Sequence, residues 1–233
     1  MSRRDAILAE MGLAPIWRLR HAVTNEIPQT STNEIPQTGT NEIPRASSPG
    51  VGWVELKQLV SGCTQCGLHK TRTQTVFGVG DPKADWMLIG EAPGAEEDRL
   101  GDPFVGQAGR LLDNMLAAIG LHRTKNVYIA NVLKCRPPGN RNPEPEEVAK
   151  CTPHLLHQIE LVEPKLIVAM GRFAAQTLLN TDASIASLRG RLYRYAGRPL
   201  VVTYHPAYLL RNLPDKAKAW ADLVFARKTM SSL

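Results

Sequence analysis

The sequence predicts an α/β fold: three layers, α/β/α, around a central and mainly parallel four-stranded sheet. Three observations lead there. Four short apolar runs, at 85–89, 127–130, 166–170 and 200–204, lack the alternation of a half-solvated strand and read as strands buried on both faces. Segments with helical spacing lie between and after them, which is the pattern of strand–helix–strand crossovers. The chain has 233 residues, 43% of them hydrophobic, enough for one good-sized core with a tail to spare.

The elements follow in order. Residues 1–22 hold Ile7, Leu8, Met11 and Leu13 on one face of a short helix, marginal alone and suited to docking on the main domain or on a protein partner. T-N-E-I-P-Q-T then occurs at 24–30 and 32–38, and T-N-E-I-P returns at 40–44. A unit with one Ile and one Pro cannot bury a core, so 23–52 reads as a disordered repeat linker and 53–233 as the folded domain. Val54, Leu56, Leu59 and Val60 make 53–61 helical. Strand 85–89 ends at Gly90. Helix 106–119 stops at Gly120, a helix-ending residue. Strand 127–130 ends at Asn131, and helix 143–162 has Pro143 near its start. Strand 166–170 leads into helix 171–179, and strand 200–204 into helices 206–211 and 214–230. Ligands of such sheets bind beyond the carboxyl ends of the strands. Three of those ends carry polar signatures: G-E-A-P-G at 90–94, Asn131, and His205-Pro206. The stretch G-V-G-D-P-K at 78–83 precedes its strand and lacks a third glycine, which excludes a dinucleotide loop.

The formal net charge is +6. From Arg189 onward nine Arg and Lys stand against Asp215 and Asp222, a balance that suits a phosphate-bearing partner. Lys216, Lys218, Arg227 and Lys228 read instead as a solvated helix face. No run of about 18 apolar residues is present to span a membrane, and no apolar stretch near the N-terminus has signal-peptide length. The expected compartment is cytoplasmic and the expected state monomeric.

The four cysteines are Cys63, Cys66, Cys135 and Cys151. Four soft ligands in a reducing setting point to a thiolate metal site. The first pair has C-x2-C spacing, while the second is split by fifteen residues. That suits an iron–sulfur cluster held by a loop and a following helix more than a zinc ribbon. Zinc, two disulfides and four unlinked thiols remain alternatives at this level.

Glu91 stands in the mouth of the sheet. Pro206 at a first helical position makes His205 an N-cap, and a helix N-terminus disfavours imidazolium, so His205 is expected to be neutral and to donate to a developing anion. His21, His69, His122, His154 and His157 read as capping or core residues. The G-E-A-P-G turn, P-F-V-G at 103–106, Asn131 ahead of K-C-R-P-P at 134–138, and H-P-A-Y-L-L-R at 205–211, in that order and with this cysteine spacing, resemble the family 4 uracil-DNA glycosylases. The likeness runs from about Trp53 to the C-terminus and leaves out 1–52.

That resemblance implies a uracil-DNA glycosylase-like fold, a [4Fe-4S] cluster on Cys63, Cys66, Cys135 and Cys151, and single- or double-stranded DNA containing uracil as partner. It implies an enzyme of base excision repair that flips uracil into a pocket and hydrolyses its N-glycosidic bond. Glu91 and His205 would be catalytic. Gly90, Ala92, Glu97, Phe104 and Asn131 would form the base pocket, Phe104 stacking on the ring, Asn131 reading its edge and Glu97 helping to reject thymine's methyl group. Leu209 would be the wedge, with Arg211, Arg189 and Arg191 along the DNA backbone. Plainer roles exist for each: Phe104 as core, Asn131 as a strand-end cap, Leu209 as a buried helix residue. The competing functions are a catalytically silent iron–sulfur DNA-binding module, a family 5-like enzyme, and a covalently trapping one. Glu91 argues against the second, and the absence of His from 140–146 against the third.

Overall fold

Strand β2 (Trp86–Gly90) organises the sheet, because strands pair with it in parallel on both sides. The structure is a computed structural model and describes residues 51–233; the expectations for 1–22 and 23–50 lie outside the described residues. Six strands run in the order β1-β3-β2-β4-β6-β5. β3 (Val127–Asn131), β2, β4 (Leu166–Met170) and β6 (Arg198–Thr203) are the parallel core, at the positions of the four runs that predicted them. β1 (Val79–Gly80) and β5 (Leu192–Tyr195) add antiparallel edges that the sequence did not announce. β1 has two residues, and β5 alternates exposed and half-buried positions as an edge strand does.

The side chains of the core strands alternate between two helical layers. Met87, Ile89, Ala130, Ile167, Ala169 and Val202 pack under α4 (Pro145–Val162) and α5 (Arg172–Leu179), through Leu155, Ile159, Ala175 and Leu178. Trp86, Leu88, Ile129, Val168 and Val201 pack under α3 (Gln107–Ala118) and α8 (Asp215–Ser231), through Leu112, Leu116, Leu223 and Ala226. This is the expected three-layer α/β/α arrangement. Shorter elements complete it: α1 (Trp53–Ser61), α2 (Ala95–Leu100), α6 (Ile185–Leu188) and α7 (Pro206–Leu209). The observed helix bounds fall within about two residues of the sequence expectation, the usual uncertainty at frayed ends. None of the described helices is long and apolar enough to cross a membrane.

Arg189 corrects an expectation. Its Nε and Nη2 donate to the two carboxylate oxygens of Asp222 at 2.6 and 2.8 Å, and its guanidinium lies 4.7 Å from the centre of the Tyr204 ring. Asp222 also accepts from the Thr203 hydroxyl at 2.9 Å. With side chains 13% and 2% exposed, this pair ties the segment after α6 to α8 and β6 and does not reach out to a phosphate. Truncating one partner strands the other's charge in a buried place, which costs about 3–5 kcal/mol. Arg189→Ala should therefore lower the thermal midpoint by several degrees, read by circular dichroism. A midpoint unchanged from wild type would return Arg189 to the surface role.

Candidate active site

The site is built at the carboxyl ends of β3, β2 and β6, with β4 lying between β2 and β6. Gly90 and Asn131 are register partners at the last rung of the β2–β3 ladder. The chain after β2 is held to the continuation of β3 by Val132 N–H donating to the Gly90 carbonyl and Leu133 N–H to the Glu91 carbonyl, both at 3.0 Å. A Cβ on Gly90 would stand 2.4 Å from Asn131 Oδ1 and 2.8 Å from Phe104 Cζ. The missing side chain is what lets those two groups share one slot. Asn131 is 2% exposed, and among the described residues neither its Nδ2 nor its Oδ1 has a hydrogen-bond partner. A buried amide lacking both bonds is costly, of the order of 1–3 kcal/mol per group, and marks a place where a ligand is read.

Phe104 sits in the left-handed region at φ 55°, unusual for a bulky side chain. Three neighbours hold it there. Arg123 Nη2 donates to the Phe104 carbonyl at 2.9 Å. Gly109 lies so close that a Cβ would fall 1.8 Å from that carbonyl oxygen. Glu97 Oε1 accepts from Val105 N–H at 3.0 Å and Gly106 N–H at 3.4 Å. Glu97, expected to face a base and reject a methyl group, thus clamps the Phe104 loop by its main chain. Ala92 packs toward Leu133, Cys135 and Cys151. Glu91 is half-buried; burial raises its carboxyl above the usual range, against the opposing charge of Arg172 at the start of α5.

His205 lies across from Phe104, ring centres 5.4 Å apart. Its Nδ1 accepts from Ala207 N–H at 3.1 Å, so the neutral ring carries its proton on Nε2. Burial, with help from the Arg211 charge and against that of Glu97, pushes its pKa down to about 4. The expected neutral donor is present, but burial rather than the helix terminus is the main cause. Gly171, at φ 94°, lets the chain after β4 pass His205, where a Cβ would stand 2.8 Å from the histidine Cβ.

Leu209 is 1% exposed and packs with Tyr204 and Ala219, the plainer of its two readings. The side chain of that turn that faces outward is Leu210, 42% exposed. Arg191 and Arg211 are both exposed.

All four cysteines are free and line one cavity with Val60, Gln65, Arg72, Lys134, Lys150 and His154. Cys63 and Cys66 follow α1, Cys135 follows β3, and Cys151 lies in α4. Arg72 Nη1 donates to Cys135 Sγ at 3.1 Å and Lys134 N–H to Cys151 Sγ at 3.3 Å, contacts that favour thiolate. Burial pushes the metal-free Cys151 thiol up to about 11. Among the described residues no three His, Cys, Asp or Glu side chains form a set that could hold a metal ion, so the thiols border a shared space without converging on a point. Arg72, Arg123, Gly109 and Lys134 were not foreseen as site residues. Lys134 alone had a signal, its place in K-C-R-P-P.

Residues 77–224 match the family model described as Uracil DNA glycosylase superfamily. A type-4 uracil-DNA glycosylase of Archaeoglobus fulgidus is 50% identical over 159 residues, which cover 65% of this chain and 79% of that protein. The chain belongs to the type-4 uracil-DNA glycosylases. A second type-4 enzyme, from Thermotoga maritima, is 46% identical over 70% of this chain and 88% of its own length. A type-5 uracil-DNA glycosylase of Pyrobaculum aerophilum is 33% identical over 57% of the chain. For this type-4 chain the histidine gives a direct check. His205 should titrate with a midpoint near 4 by NMR and show the proton on Nε2 above that. Because the folded pKa lies below the unfolded value of about 6.5, its contribution to stability is present above pH 6.5 and is lost as pH falls toward 4. A midpoint near 6.5 would contradict the burial argument.

Proposed function

We propose that this chain excises uracil from DNA, hydrolysing the N-glycosidic bond of a flipped deoxyuridine and leaving an abasic site for base excision repair. The observation that carries the reading is the buried amide of Asn131, with donor and acceptor both free, facing the Phe104 slot. The uracil edge offers an acceptor at O4 and a donor at N3, the complement of one amide. Phe104 covers the ring, and its loop is kept rigid by Glu97, Arg123 and the bare Gly109.

The bond to C1′ breaks with its electron pair leaving on the base. The sugar becomes cationic and the uracil anionic. Glu91 lies at the mouth of the slot, where a carboxylate steadies the cation and accepts the proton of the attacking water. His205 Nε2–H points its dipole at the departing anion without carrying a charge of its own, as pre-aimed donors in closed sites do. Leu210 takes the wedge role in place of Leu209, filling the space the base vacates. Arg191 and Arg211, both exposed, hold phosphates.

A [4Fe-4S] cluster fits the cysteine cavity. Four thiols arranged about a space, each of the two buried ones meeting an N–H donor, match a cluster several atoms across better than a single zinc. Bound there, the cluster cross-links the segment after α1, the segment after β3 and α4. Hydrolysis asks no electron of it. Purified without air, the protein should be brown, with broad absorption at about 400 nm, and Cys151→Ala should lose most of its iron. A colourless protein carrying one zinc would exclude the cluster.

The deciding experiment uses one oligonucleotide made with and without a single uracil. Strand breaks after alkali should appear only in the uracil strand. Glu91→Ala and His205→Ala should each slow single-turnover excision on the order of 10²–10³-fold while keeping the fold and DNA binding. Since Glu91 works as the anion, the wild-type rate should fall as acid protonates it. Both variants within about tenfold of wild type would remove these assignments.

A further inference from the structure

Lys134 is a long cationic side chain buried to 1% exposure, between the base slot and the cysteine cavity. Its Nζ donates to the main-chain carbonyl of Asn131 at 2.8 Å and to Gln158 Oε1 at 2.6 Å. Gln158 is itself fully buried. Its Nε2 donates to the Phe77 carbonyl at 2.9 Å and to the Tyr128 hydroxyl at 3.2 Å. The backbone of Lys134 is equally engaged: its N–H meets Cys151 Sγ, and its carbonyl accepts from Val76 N–H at 2.8 Å. Among the described residues no carboxylate pairs with the ammonium. The groups that could offset its charge are Cys151 and Cys135, which are neutral thiols when metal-free and anionic only as bound thiolates.

A buried cation without a carboxylate is an expensive choice if its task is only to fill space, since an apolar residue of the same volume does that at less cost. Two things make sense of it. The Asn131 carbonyl at the end of β3 lies past the last rung of the sheet and needs a donor that no strand supplies. The thiolates of a filled cysteine site supply the counter-charge. We propose that Lys134 is a positioning residue for base recognition, fixing the β3 terminus that carries the Asn131 amide and coupling that amide to the filled cysteine site. The proposal rests on Asn131 reading the base and on the cysteines holding the cluster.

The test is a double-mutant cycle on the cluster-loaded full chain. Lys134→Met, Asn131→Ala and the double variant are compared by single-turnover excision, iron content and thermal midpoint. Lys134→Met should lower excision per cluster on the order of 10–100-fold, as loss of a supporting contact typically does. Its iron content should stay at the wild-type level, with a midpoint lowered by no more than a few degrees as the Asn131 carbonyl and Gln158 Oε1 lose their donor. In the Asn131→Ala background the same substitution should cost no more than about threefold, because its route to the base is already gone. Gln158→Leu, which frees the ammonium from its other end, should show the same dependence on Asn131 and covers the case in which Lys134→Met does not fold. Equal losses in both backgrounds overturn the proposal, as does a loss that tracks iron content, or full activity of Lys134→Met. A wild-type chain with a full cluster that leaves uracil in place overturns the functional reading and this inference together.

Discussion

The pocket depends on a gap one methyl group wide. At the final rung of the β2–β3 ladder the residue opposite Asn131 is glycine, and the space its side chain would take is shared by the side-chain oxygen Oδ1 of Asn131 and the edge of Phe104. Parallel register fixes which residues meet at that rung, and the continuous apolar packing on both faces fixes the register. A slip of one residue would bring another side chain to the slot and turn Asn131 to the opposite face. The placement of the Asn131 amide is thus a by-product of how two buried strands pair.

Around that gap the molecule stores strain and supports it. Phe104 is kept in a left-handed conformation by a guanidinium on its carbonyl, a carboxylate on the next two amides and a glycine under its main chain. None of the three contacts touches the ring, so the stacking face stays clear. The same division appears at β3, where Lys134 works from behind on the carbonyl while the Asn131 side chain is left unpartnered. Groups that face the pocket are bare, and the bonds that position them are made through the backbone.

How legible this was differs by element. The four core strands showed as unbroken apolar runs because both their faces are buried. β1 was missed because two residues carry no period, and β5 because an edge strand with Arg194 among its residues looks like a charged loop. The positions of Glu91, Asn131 and His205 at strand ends could be read, because each follows directly on an apolar run. Leu209 and Leu210 could not be told apart, since which of two adjacent leucines faces outward depends on the packing of Tyr204 and Ala219, not on local pattern. Arg189 was misread for a related reason: its partner Asp222 lies 33 positions away. Lys134 lies within the K-C-R-P-P motif, but nothing in the sequence says that this lysine is buried.

The bond from Ala207 N–H to His205 Nδ1 has a consequence for what can be released. A ring whose second nitrogen is already occupied by a donor cannot hand its proton forward and refill from behind. On the role proposed for His205, it steadies charge without neutralising it, and the base departs as an anion. Leaving-group acidity then becomes a filter separate from shape. Pyrimidines whose ring nitrogen gives up a proton readily depart easily, and electron-withdrawing substituents small enough for the slot make departure easier still. Purines, which normally need a proton to leave, meet a site with none to give. Chemical reluctance would then protect the purines even when one strays into the slot, whereas thymine, about as acidic as uracil at that nitrogen, has to be rejected by shape.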